Sequence, residues 1–425
     1  MTVDQIFARM TGAETASARL DALQEMTDLY RNGTLEVPQS CGNVNNHIHT
    51  TFSFSPYSPA AAAYMAWKNG LVTAGIMDHD SLAGAREFIR AGEILELATT
   101  IGFECRVDFS KTPFGDRRLN NPDQDGVAYV TLHGIPHGNI DAAEAFLAPY
   151  REKRNLRNRK MTDNLNALLA PLNISVDFDR DILPLSQAAA GGSVTERHLL
   201  FAVAGKLMER YPDPAEMIAA LRGMGVAVSA KAEAQQLDPA NPFKQYDLLG
   251  VLKGNMVEKF YIPATEECPD VTEFLRVAEK LGGIAAYAYL GDVGDSVTGD
   301  KKTQAFEDAF LDDLIPYIKE LGFRAVTYMP TRNTPAQLSR LRKLCQDNDL
   351  FEISGEDINS PRQSFQNPLI LTPDFAHLVR ATWALIGHER AATLSQEDGM
   401  FTPETLAAMP TLEERTEHFA KIGLQ

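Results

Sequence analysis

The sequence predicts an α/β fold whose strands close into a barrel, and three observations predict it. From about residue 43 onward, short apolar runs alternate with helically patterned stretches. Strand followed by helix, repeated, calls for parallel strands joined by crossovers. The number of such units is large enough for the sheet to wrap round on itself rather than stay open. At 425 residues, 44% hydrophobic and 23% charged, the chain is long enough for one large α/β domain with additions, or for two domains.

The elements follow in order. Residues 1–42 read as a helical N-terminal extension, because Ile6, Met10, Leu20, Leu23, Met26, Leu29 and Tyr30 recur at helical spacings. Candidate strands are Val44–His49, Leu71–Met77, Thr100–Glu104, Ala128–His133, Val226–Ser229, Ile284–Tyr289, Ala325–Met329 and Leu350–Ser354, each a short apolar run. Helical patterns such as Ala83–Leu97 and Val271–Leu281 lie between them. The rhythm breaks at about 139–241, where a charged stretch (Ala142–Leu169, containing Pro149) and the segments Glu196–Arg210 and Pro214–Arg222 predict a helical insertion. Residues 366–425 predict a helical C-terminal extension, with helices at Pro373–Gly387, Pro403–Met409 and Leu412–Ile422.

Charge narrows the function. With 40 basic and 57 acidic residues the formal charge is −17, which argues against a broad nucleic-acid or anionic-membrane surface while allowing a local basic pocket. No apolar run approaches a membrane span and MTVDQIFARM lacks a signal-peptide core, so the cytoplasm is the expected compartment. Cys41, Cys105, Cys268 and Cys345 are far apart and form neither a disulfide framework nor a zinc knuckle. The acidic stretch Gly291–Asp300 lacks calcium-loop spacing and reads as a solvated loop.

The polar residues at the strand ends carry the chemistry. In NNHIHTTFSFSP, His47 and His49 alternate along a strand, so both imidazoles face one side and reach one ion. The second strand ends in Asp78-His79-Asp80, the third in Glu104, the fourth in His133 and the last in Glu356-Asp357. Barrels of this kind build their sites at the carboxyl ends of the strands. Imidazoles and carboxylates gathered at one rim suit Mn, Fe or Zn, and Asp78 and Asp80 are placed to orient His79.

These residues resemble the PHP (polymerase and histidinol phosphatase) family of metal-dependent phosphoesterases over most of residues 43–365. HIHTTFS resembles the opening HxH motif of that family, and GIMDHDSLAGAREF its second motif. IGFECRV is similar to the segment bearing a metal-bridging Glu, VTLHGIPHG to a following His segment and YREKRNLRNRKM to an arginine-bearing helix. TERHLLFAV, GGIAAYAYLGD and ISGEDINSP resemble three further motifs in family order. The resemblance implies a distorted seven-stranded β/α (TIM-like) barrel with a helical insertion, and a metal-activated water. It also exposes departures: Phe54, Tyr289 and Asn359 stand where the family has metal ligands.

On this resemblance the metal ligands are His47, His49, His79, Glu104, His133 and Asp357, holding one or two divalent ions. A first position, built from His47, His49, Glu104 and Asp357, is complete. A second would use Glu104 and His133 but meets Tyr289, and a third keeps His79 and loses its partners to Phe54 and Asn359. The expected catalytic groups are His198, near a helix start, and Arg154 and Arg157, whose i,i+3 spacing with Arg151 forms a stripe suited to phosphate. His137, His377, His388 and His418 read as ordinary. The expected activity is hydrolysis of a small phosphoester. Two alternatives stay open: a degenerate relative that binds metal, ligand or partner without turnover, and hydrolysis of a non-phosphate substrate. The expected partner is a small phosphorylated molecule rather than nucleic acid or membrane; homo-oligomerisation is left open.

Overall fold

Seven strands, hydrogen-bonded in chain order, form one sheet in the computed structural model of the protein, which describes residues 1–294 and 304–425. The greater part of the acidic Gly291–Asp300 stretch therefore lies outside the described residues.

The chain enters through α1 (Val3–Gly12), where Thr2 and Gln5 form a capping box, and α2 (Ala16–Arg31), capped by Thr15. Both lie against the barrel's helical layer through Ile6, Met10, Leu23 and Met26. Then come β1 (Val44–Ile48), α3 (Pro59–Lys68), β2 (Thr73–His79), α4 (Ala85–Leu95), β3 (Ala98–Asp108) and β4 (Val127–His133). Ser58 caps α3 and Pro59 opens it, and the following run Ala60–Ala63 is wholly buried, so this short helix seats closely against β2 and α4. All five residues of β1 are buried, as expected of a strand covered on both faces.

Between β4 and β5 the chain leaves the sheet. Helices α5 (Ile140–Leu169), α6 (Glu196–Arg210), α7 (Pro214–Gly223), α8 (Ala230–Leu237) and α9 (Lys244–Phe260) gather around their own apolar cluster, which includes Met161, Leu200, Val203, Leu252 and Phe260. Helix α5 continues through Pro149. The barrel resumes with α10 (Val271–Leu281), β5 (Ile284–Ala288), α11 (Leu311–Leu321), β6 (Ala325–Tyr328), α12 (Pro335–Asp347) and β7 (Phe351–Ser354). Finally α13 (Ala376–Leu394), α14 (Pro403–Ala408) and α15 (Leu412–Gly423) pack on β5, β6 and β7 through Leu385, Met400 and Phe419. Ile48 pairs with Ile358, just beyond β7, and brings the two ends of the sheet together into a barrel.

Two expectations are corrected. The strands are not all parallel: β4 runs antiparallel to both β3 and β5. Strand β3 extends to Asp108 and the chain turns back through residues 109–126 with no crossover helix, so the return strand must be antiparallel. Val226–Ser229 is not a strand. Its backbone meets no sheet edge; the Asn255 side chain accepts the Ala227 N–H at 2.9 Å and donates to its carbonyl at 3.2 Å, in place of a neighbouring strand. Val226 is buried in the helical core and Ser229 caps α8. No helix among the described residues is long and apolar enough to cross a membrane.

Candidate metal centre

Two asparagines ahead of the histidine pair join the first and last strands. Asn45 Oδ1 accepts the His47 N–H at 2.9 Å and the Glu356 N–H at 3.0 Å, and Asn46 Nδ2 donates to the Ser354 carbonyl at 2.8 Å. The β1–β2 register shifts between Asn45 and Ile48, a bulge that re-aims the side chains there. The approach is close enough that a Cβ on Gly355 would lie 2.5 Å from the Cβ of His47, so only glycine fits. These contacts set the His47-Ile48-His49 segment beside Asp357.

Register sets Glu104 beside them, since His79 pairs with Glu104 across β2 and β3. One carboxylate oxygen, Glu104 Oε2, faces three imidazoles: His79 Nδ1 at 3.2 Å, His47 Nε2 at 3.5 Å and His49 Nε2 at 3.9 Å. His49 Nε2 also lies 3.1 Å from Asp357 Oδ1. The His49 and His79 rings stack at 4.7 Å. The ligating atoms form two groups that share His49, namely His47, His49 and Asp357, and His49, His79 and Glu104; within each, all lie within 4.8 Å of one another.

Burial opposes ionising Glu104, but the neighbouring His79, His47 and His49 outweigh it and hold the carboxyl down to about 2. Asp357 is likewise held well below the usual carboxylate range, against its burial, by His49, His47 and Arg197. Burial pushes the His79 ring down to about 3, so it is neutral with a lone pair free to ligate. His47 is raised, because Glu104 and the Asp357 and Asp78 charges outweigh its burial. Ionised carboxylates facing imidazoles from separate strands fit a divalent transition metal. His133 fits as well: it is pushed down to about 3 by burial, and neither ring nitrogen has a hydrogen-bond partner among the described residues.

Other expected site residues lie as follows. His133 pairs with Gly102 on β3, two residues below Glu104 and on the same face, so it sits deeper in the barrel and belongs to neither ligand group. The Tyr289 hydroxyl donates to Asp308 at 2.6 Å. Phe54 packs edge-on against His198 at 5.0 Å and joins Phe201 and Tyr246 in an aromatic wall. His198 is buried; its Nδ1 accepts the Thr195 N–H at 3.0 Å, which leaves the proton of the neutral ring on Nε2. Burial and then Arg154 push its pKa down to about 3.

Within the arginine stripe on α5, Arg154 and Arg157 are buried and Arg151 is half-buried. Arg154 pairs with Asp80 and Glu196; Arg157 pairs with Glu196 at 2.5 Å and with Glu267, and donates to the Ile262 carbonyl at 2.7 Å. Arg106 joins the same network from β3. Asp80 thus holds Arg154 rather than His79. Asp78 accepts from Thr50 N–H, Thr50 Oγ1 and Ser53 Oγ, each at 2.6 Å, and braces the loop after His49. Of the histidines read as ordinary, His137 meets Glu389 at 2.9 Å and His388 Nδ1 accepts the Met400 N–H.

The sequence reading did not single out Arg197, which directly precedes His198. Its guanidinium donates to Asn359 Oδ1, and Asn359 Nδ2 donates to Asp357 Oδ1 at 2.5 Å. Its one visible signal was its place in Thr195-Glu196-Arg197-His198 at a helix start.

No family model matches the chain, and no curated protein matches it. Among solved structures it is similar to a "putative metal-dependent phosphoesterase" from Bifidobacterium adolescentis, with 20% identity, a TM-score of 0.51, and 80% of this chain and 96% of that one covered. It is also similar to an amidohydrolase from Chromobacterium violaceum, solved with bound sulfate and no metal, with 17% identity, a TM-score of 0.50, and 80% and 97% covered. At these identities the likeness is one of fold: the chain shares the barrel architecture of these two proteins.

Proposed function

We propose that the protein is a metal-dependent hydrolase of a small phosphoester. The observation that carries this reading is the convergence of His47, His49, His79, Glu104 and Asp357, carried in or just after four separate strands, into two groups with ligating atoms within 4.8 Å. The names of the two structural neighbours, a phosphoesterase and an amidohydrolase, support its coarser part, a metal-dependent hydrolase.

In this reading the five residues hold one or two ions of Mn, Fe or Zn. A bound ion supplies Lewis acidity and draws the pKa of a water toward neutrality. Glu104 and Asp357 stay ionised at neutral pH and His79 stays neutral, so no proton need leave these three before they ligate. His133, unpartnered beneath Glu104, is a reserve ligand for a second ion. His198 presents a neutral Nε2–H fixed by its bond to Thr195, suited to donate to a phosphate or leaving-group oxygen. Arg154 and Arg157, committed to carboxylates, act by shaping the local potential rather than as free forks. The Phe54, Phe201 and Tyr246 wall shields one side from water.

The test is turnover by full-length protein loaded with Mn, Fe or Zn on a panel of sugar and nucleotide phosphates, beside His49→Ala. Hydrolysis that disappears in the variant supports the reading. Turnover of acyl substrates instead would move it to amide or ester chemistry, and metal binding with no turnover would make the chain a binding protein.

A further inference from the structure

Charges around the metal centre are matched almost throughout. Arg106, Arg154 and Arg157 are set against Asp80, Glu196 and Glu267, and His49 against Asp357. Arg197 on α6 differs. It is half-buried and forms no ion pair among the described residues; its recorded bond runs to the neutral amide of Asn359. That amide is polarised, with its oxygen toward the guanidinium and its Nδ2 toward Asp357 Oδ1 at 2.5 Å. A fixed cation thus stands one amide away from a ligating carboxylate, with further N–H donors to spend.

Lys253 on α9, a helix that packs along α6, also forms no ion pair among the described residues. Its side chain is open to solvent, yet the nearby Arg197 charge, followed by the protein mass around it, pushes its ammonium down to about 8. Asp357, Asp123 and Glu196 act on it in the opposite direction.

We infer that Arg197, held against Asp357 through Asn359, is the anion-holding residue of this site, taking a tetrahedral oxyanion such as phosphate. The inference rests on the phosphoester reading for what the anion belongs to, but not for the binding itself. A planar guanidinium offers paired N–H donors that match two phosphate oxygens. Because Asn359 joins the guanidinium to Asp357, the anion would be set at a constant distance from the metal ligands.

The test titrates inorganic phosphate into metal-free, full-length protein and follows heat. Arg197→Gln keeps an amide to meet Asn359 and removes the charge. It is expected to weaken phosphate binding at least about tenfold, the loss of a charge-assisted pair, while Arg197→Lys recovers part of it. Metal content after loading should equal wild type in both. Wild-type protein that binds no phosphate, or Arg197→Gln that binds it as wild type does, overturns the inference. Phosphate binding lost in Arg197→Gln, together with no turnover of any phosphoester by the loaded wild type, would sink the hydrolase reading and leave this one standing.

Discussion

Glu104 carries the electrostatic balance of the candidate metal centre, because one of its oxygens answers to three imidazoles. Glu104→Gln keeps the shape and removes the charge. The variant should bind metal at least about tenfold more weakly, measured by competition with a chromophoric chelator; a change under about threefold would deny that Glu104 is a ligand. His47, His49, His79, Glu104 and Asp357 were legible because each ends an apolar run that could be read as a strand. Arg197, Asn45 and Asn46 were not, for a physical reason. Each is a polar residue whose partner lies far along the chain, 162 residues away for Arg197 and Asn359 and 308 for Asn46 and Ser354, and no local pattern announces such a pair.

Gly355 tests whether the approach of β7 to β1 builds the site. Gly355→Ala would set a methyl 2.5 Å from the Cβ of His47, with backbone at 2.9 Å, so the strands must part. The expected cost is about 1–3 kcal/mol in urea unfolding, with weaker metal binding as well. Stability and affinity both equal to wild type would show that this approach is not what places His47. The N-terminal helices offer a separate test, free of the site. Arg19 and Glu87 form a buried, two-bonded pair between α2 and α4, and Arg19→Ala strands Glu87 beside α3. That change should cost about 3–5 kcal/mol while leaving metal content unaltered. A loss of less than about 1 kcal/mol would mean that the N-terminal helices are loosely docked. Most barrel strands were readable from short apolar runs. Val226–Ser229 shows the failure mode: a β-branched alternation suits a strand, but an asparagine side chain can satisfy such a segment inside a helical cluster. The antiparallel sense of β4 escaped because direction is set by the connection, and the connection after β3 lacks a helix.

Across the molecule, acid should destabilise the metal-free protein early. His79, His133 and His198 are pushed down to about 3 and His388 to about 4, all mainly by burial. Each binds its proton in the unfolded chain near pH 6.5 but not in the folded one, so stability is lost as pH falls below about 6.5, each group contributing up to about 1.4 kcal/mol per pH unit. His47, raised, works in the opposite sense and offsets part of this. Urea unfolding at pH 7, 6 and 5 should therefore show falling stability. His388→Gln, remote from the metal centre, should flatten one part of the decline; a flat wild-type profile would contradict the burial of these rings in neutral form. Bound metal should protect against the same loss, by about 2.7 kcal/mol at a hundredfold excess over its dissociation constant. The most direct measurement is elemental analysis of protein purified without added metal, for wild type, His49→Ala and Asp357→Ala. The account predicts stoichiometric transition metal in the wild type and almost none in either variant. Wild-type protein empty of metal even after loading, or variants that retain it in full, would contradict the assignment of these side chains.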